Sequence, residues 1–257
     1  MNKSKPFKRS IYSMRSHHNL ILVVLLITFG VSLTSQTIAQ VETTVQFQPP
    51  PEEEQPKNTE GAASRQTNRC DANSLRSPSP TGVSRLTAVV PQDNYGLTIS
   101  ERPDLWVYLP ETSAQQAILS IREEGNTPHW QQSVDLRGEV GVTGIKLSDN
   151  APILELGKNY QWVVILVCGD RPNPNDPVVT SWIRRVAKTD SQSLLSSELE
   201  QISNYAQQGI WYDALNILIS SKSSLDNWRN LWSEYLKSAD LDKIADLPVV
   251  EDPLISE

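Results

Sequence analysis

NYQWVVILVC, residues Asn159 to Cys168, is the stretch on which the fold turns. Read with a period of two, it sets Tyr160, Trp162, Val164 and Leu166 on one side and Val163, Ile165 and Val167 on the other. Both sides are apolar, so the reading predicts a β-strand covered on both faces. DLWVYL, residues 104–109, repeats the pattern, with Leu105 and Val107 opposed by Trp106 and Tyr108.

Working outward, the same period recurs from Leu86 to Val186. LTAVV, GLTIS, DLWVYLP, AILSI, WQQSVDL, VTGIKLS, NYQWVVILVC and VVTSWIRRV are each bounded by turn residues such as QDN, EEGN, DNAP and GDRPNPNDP. Seven or eight short strands in about a hundred residues, with no helix of useful length between them, predict an immunoglobulin-like antiparallel β-sandwich over 84–187. One sheet face packs on the other sheet, and the second needs a different cover.

The expected cover is the segment 188–246. SELE, starting at Ser197, is a capping box in which Glu200 reaches back to the cap amide. Leu199, Ile202 and Ala206 follow at helical spacing, and Gly209 suits a left-handed stop. A second helix is predicted from about Trp211 to Ser221. A third runs from about Asp226 to Ala239, with Trp228, Leu231, Trp232 and Tyr235 on one stripe, and DLDKIAD adds a short fourth. YAQQGIWYDALNIL, residues 205–218, is similar to the junction of a tetratricopeptide repeat. No second copy follows, so a lone hairpin must bury its stripe against the β-domain. The fold class expected is therefore α+β: a sandwich followed by a small helical hairpin bundle.

The ends differ from this body. Lys3, Lys5, Lys8, Arg9 and Arg15 precede an apolar run, Leu20–Leu33, and TSQTIA leads to Ala39. This is the pattern of a secretory signal peptide over 1–39, the alternative being a retained anchor. Fourteen helical residues rise about 21 Å, short of a bilayer core of roughly 30 Å. Residues 40–83, with PPP at 49–51 and EEE at 52–54, read as a disordered linker that spaces the domain from the N-terminus, and 247–257 as a flexible tail. Losing five basic residues and no acidic one with the leader moves the formal charge from −7 to −12. That charge disfavours a nucleic-acid partner, and no stable membrane insertion is expected after cleavage. The expected location is the periplasm or the exterior.

There, two cysteines, Cys70 and Cys168, suggest a disulfide, with two buried thiols as the alternative. Other chemistry is sparse. Outside the leader the one histidine is His129, in a turn-like GNTPHWQQ, too little for a zinc site or a Ser-His-Asp triad. Glu101, Asp104, Glu111, Glu123 and Glu124 are the carboxylates considered for glycoside hydrolysis, and each reads as solvated. Asp170, Asn173, Asn175 and Asp176 crowd one loop, where a polar turn outweighs calcium. Arg102, in ERP, and Arg184–Arg185 read as structural. No cofactor, catalytic residue or metal ligand is assigned. Seven tryptophans read mainly as core, with Trp211 the best candidate for an exposed anchor because Ile210, Trp211 and Tyr212 cannot all face one small core.

Four blocks in order, LTAVVPQDNYGLTISERPDLWVYLP (86–110), LELGKNYQWVVILVC (154–168), SWIRRV (181–186) and GIWYDALNIL (209–218), resemble the exported cyanobacterial family labelled domain of unknown function 928. The resemblance runs from about Gly61 to Val250. It implies a signal peptide, a cysteine ahead of the first strand and another closing the Tyr-x-Trp strand, the places of Cys70 and Cys168. It implies no activity, ligand or catalytic residue. The function expected is thus a non-enzymatic module that binds an unknown protein of the cell envelope. Its surface would be the hairpin at 209–213, above all Ile210, Trp211 and Tyr212, with the loop 169–177 second. A carbohydrate-binding module is the alternative, and a hydrolase the third reading.

Overall fold

The computed structural model describes residues 44–51, 55–56, 70, 83–127, 129–138, 140–250 and 253–254. The expected leader, and most of the expected linker, lie outside the described residues. No helix among them is long and apolar enough to cross a membrane.

Among the described residues eight strands form two sheets. β1 (Thr87–Ala88), β3 (Leu105–Leu109) and β6 (Gly141–Ile145) make an antiparallel sheet in the order β1-β3-β6. The larger sheet has the order β2-β8-β7-β4-β5, from β2 (Tyr95–Thr98), β4 (Gln116–Glu123), β5 (Trp130–Asp135), β7 (Asn159–Val167) and β8 (Val178–Arg185). Five helices follow: α1 (Asp190–Ser193), α2 (Glu198–Gln207), α3 (Trp211–Ser220), α4 (Trp228–Lys237) and α5 (Asp242–Ala245). The class is α+β, with sandwich-like sheets. The larger sheet is mixed rather than antiparallel, because β2 runs parallel to β8 with Tyr95 opposite Trp182. Parallel neighbours need a long crossover, and the chain from Thr98 to Val178 supplies it.

The register explains the burial. Trp162 lies opposite Ile121 of β4 and Ser181 of β8, and Val164 opposite Leu119 and Val179. These residues, with Tyr160, Leu166, Ala117 and Ile183, are buried and form the inner face. The other face of β7 departs from expectation: Val163 and Ile165 are only half-buried, as are their neighbours Ile118 and Thr180. The helical segment does not lie over that face. The first turn of α3 instead enters from the inner side, with Tyr212 beside Trp162. In β3 all five residues are buried, as the two-sided reading requires.

Local signals behave as written. Ser197 accepts from the Glu200 amide, and Glu200 reaches back to the cap, completing the capping box of α2. Gly209 holds φ at +71° after that helix. Thr189 and Gln192 make a second capping box at α1.

Two segments expected to be loose are packed. Residues 44–48 alternate like a strand, with Val45 and Phe47 buried and Thr44, Gln46 and Gln48 exposed, and Pro50 is buried beyond an exposed Pro49. Past the helices, Val249 bridges Val142 and Leu254 bridges Ile145, both in parallel, so these two residues extend the free edge of β6. Leu247 and Leu254 are buried. Each segment has only a few apolar residues, yet each finds a preformed surface that offers both hydrogen-bond partners and a dry pocket. Composition, averaged over the segment, hides that.

Candidate functional site: the first turn of α3 and its surroundings

Ile210, Trp211 and Tyr212, expected to face a partner, are at most 2% exposed. This corrects the reading of them as an open docking surface: they face the molecule's own β-layers. They need not share one core, because the helix begins where several elements converge. Trp211 donates from Nε1 to the Val89 carbonyl at 2.9 Å, just past β1. It stacks on Tyr235 of α4 at 4.6 Å, and the Tyr235 hydroxyl donates to the Trp211 carbonyl. Tyr212 goes to the other sheet. Its hydroxyl accepts from Trp162 Nε1 at 2.8 Å and donates to the Trp182 carbonyl at 3.1 Å. Burial pushes the Tyr212 phenol well up, so it stays a protonated donor. Gly96 of β2 leaves room for this docking: a Cβ there would lie 2.8 Å from Trp211 Cβ. The Gly209 carbonyl, just ahead, accepts from the Leu97 amide at 3.0 Å and so covers the edge of β2.

Asp213 completes the turn. Its Oδ2 accepts from Thr98 Oγ1 at 2.7 Å and from the Ile99 amide at 3.0 Å. Burial raises the carboxyl above its ordinary value, while those hydrogen bonds and the Lys188 charge pull the other way. The folded chain therefore holds the Asp213 proton more tightly than the unfolded chain. The resulting stability is full below the ordinary carboxylate value of 3.8 and is lost as pH rises through the folded value. Asp213→Asn keeps an oxygen for both donors and removes the buried charge. Its melting temperature should exceed that of the parent near pH 7, with the gap closing toward about pH 4. Asp213→Ala, which orphans both donors, should cost about 1–3 kcal/mol across that range in urea titrations.

The other sequence candidates are scattered and held in structural roles. His129 is exposed. Glu123 accepts from Lys158 at 3.2 Å and Glu124 from Asn159 Nδ2 at 2.9 Å. Glu101 pairs with Arg185, which also donates to the Leu154 carbonyl, and Arg102 donates to the Ala151 carbonyl. Glu111 is exposed, and burial raises Asp104 against the nearby Lys146 charge. In the loop 169–177, Asp176 Oδ2 accepts from the Asn173 amide, and Asn173 Oδ1 from the Asn175 amide, closing a polar turn. No group of three or more His, Cys, Asp or Glu that could hold a metal occurs among the described residues. A cavity of about 630 Å³ at the start of β1 is rimmed by charges of both signs, Arg85, Lys243, Asp240 and Asp242.

Six of the seven tryptophans are buried, and Trp130 is half-buried. Trp228 and Trp232 stack on each other and donate to the Leu218 and Ala245 carbonyls. The exposed aromatic strip that a carbohydrate-binding face requires is not found among the described residues.

Cys70 and Cys168 are joined by a disulfide, with Cα atoms 5.0 Å apart. It holds Cys70 at the end of β7, where the Cys70 carbonyl accepts from the Ser113 amide and the Thr112 hydroxyl.

The sequence reading missed one feature. Residues 44–50 lie across α2, α3 and α4. The Phe47 amide donates to Ser238 Oγ at 2.7 Å, and the Gln48 amide to the Ala206 carbonyl at 2.9 Å. The Phe47 ring meets Trp211 edge-on at 5.0 Å and Tyr235 at 6.4 Å. Its signal was present as the alternation V-x-F, hidden by the prolines and glutamates that follow.

The chain matches no curated protein and no solved structure. With its paired cysteines and its strands and helices in place, it matches one family model over residues 60–249, and so belongs to the family described as Domain of Unknown Function (DUF928).

Proposed function

We propose that this protein is an exported, non-enzymatic module that binds another protein in the cell envelope. One observation carries the reading: the helical hairpin receives an extended polypeptide, residues 44–50, through main-chain hydrogen bonds and an aromatic slot. Extended-segment capture of this kind is a general mode of protein recognition. Export is supported by the basic-then-apolar N-terminus and by the disulfide, which persists in oxidising compartments.

The immobilised mature protein should retain a defined envelope protein at physiological salt. Excess soluble mature protein should release it. If nothing is retained that the soluble form can displace, the adaptor reading is wrong.

A further inference from the structure

We propose that the groove between α2, α3 and the end of α4 is a receptor site for an extended peptide of the pattern apolar-x-aromatic-x-Pro-Pro. The protein's own Val45–Pro51 fills it at rest and competes with the ligand. This rests on the protein-binding reading above and names the ligand class.

The site is built for a chain, not for one side chain. Val45, Phe47 and Pro50 point in while their neighbours face solvent, so the site reads two alternate positions and then a proline three residues on. Two successive amides, of Phe47 and Gln48, are taken by Ser238 Oγ and the Ala206 carbonyl. Ser238 is oriented for this, since its hydroxyl donates to the Tyr235 carbonyl at 2.7 Å. The slot for the aromatic residue is formed by Trp211 stacked on Tyr235, and the Phe47 ring stands near perpendicular to both. The proline end is specified by Gly209. A Cβ at that position would lie 2.9 Å from Pro50 Cδ and 3.2 Å from the Gln48 carbonyl oxygen. The hairpin glycine therefore serves the turn and the close approach of the peptide together.

None of these contacts requires the peptide to be covalently part of this chain. Residues 44–51 pair with no strand, and the next described tie to the sandwich along the chain is Gln55 on Asp93. A tethered segment acts at an effective concentration of about millimolar for a short flexible connection. A ligand in trans must exceed that, so the arm sets a threshold for binding rather than abolishing it.

The experiment uses Phe47→Ala in the purified protein and a fluorescent peptide of residues 44–51, TVQFQPPP. Fluorescence anisotropy should show saturable 1:1 binding to the variant, at least tenfold weaker binding to the parent, and none for the peptide with alanine in place of its phenylalanine. Gln48→Pro, which removes the amide that Ala206 accepts and keeps the Phe47 ring, should also raise peptide affinity over the parent. Absence of saturable binding to both variants, while each still melts cooperatively, overturns the proposal. So does loss of a cooperative melt in both, which would make the arm a core element. A parent that runs as a dimer and becomes a monomer in Phe47→Ala would make a second copy the occupant and would overturn a separate peptide ligand. Failure of the peptide with retention of a displaceable envelope protein ends this proposal and leaves the adaptor reading standing. Failure of both ends both.

Discussion

Trp211→Ala should destabilise the protein by about 3–5 kcal/mol, the range for deleting a fully buried aromatic side chain. The position stands above an ordinary core site because four elements meet on this one ring. It stacks on Tyr235, receives the edge of Phe47, covers Gly96 and donates to the Val89 carbonyl. Deletion opens a cavity at the junction of both sheets and the helices and leaves the Val89 oxygen without its donor. Because small domains hold roughly 5–15 kcal/mol in all, the loss should bring the chain near its unfolding threshold. Urea titration at 25 °C is the measurement. Trp211→Phe separates the parts: it keeps most of the ring area and loses the hydrogen bond, and should cost about 1–2 kcal/mol for that loss, with any packing mismatch adding to it. A Trp211→Ala variant within 1 kcal/mol of the parent would show that the helices are docked by something other than this turn.

Breaking the disulfide should have a comparable effect through the unfolded state. Cys70 and Cys168 are 98 positions apart, and closing a loop of that length removes chain entropy worth about 4–5 kcal/mol from the denatured ensemble. The Cys70→Ala/Cys168→Ala double variant leaves no stray thiol. Its urea midpoint should fall well below that of the oxidised parent and coincide with that of the parent under reductant. Reduction should also raise the measured mass of the parent by two hydrogens. Equal midpoints for oxidised and reduced parent would mean the bridge constrains nothing that unfolds.

Much of this architecture was legible in the residues themselves. Period two located all eight strands, and the Ser197 box with Gly209 located α2 and its stop. These are local signals: alternation, capping and left-handed glycine act within a few residues, so the string of letters carries them. The pairing partners were not legible in that way. That β2 would lie parallel to β8 depends on residues about 87 positions apart, and nothing in YGLT specifies a neighbour. The half-exposed Val163 and Ile165 show the same limit, since an apolar residue on a strand states what could be buried there and not what will cover it.

The candidate site divides along the same line. WYDAL announced a helix start rich in aromatics, and the sequence alone determined that these side chains had to meet something large. Only the assembled fold decided that the something is internal: Trp162 in the larger sheet and Val89 just past β1 of the smaller one, with Asp213 pinned by Thr98 and Ile99. Likewise TVQFQPP, residues 44–50, holds an alternation too brief to be stable alone, because so few buried groups cannot offset the entropy of ordering the chain. It becomes ordered when α2, α3 and α4 are already in place to supply the Ala206 carbonyl, the Ser238 hydroxyl and the aromatic slot. Local propensity is written into neighbouring residues. Burial and partnership are properties of surfaces brought together from distant parts of the chain, and these exist only after folding.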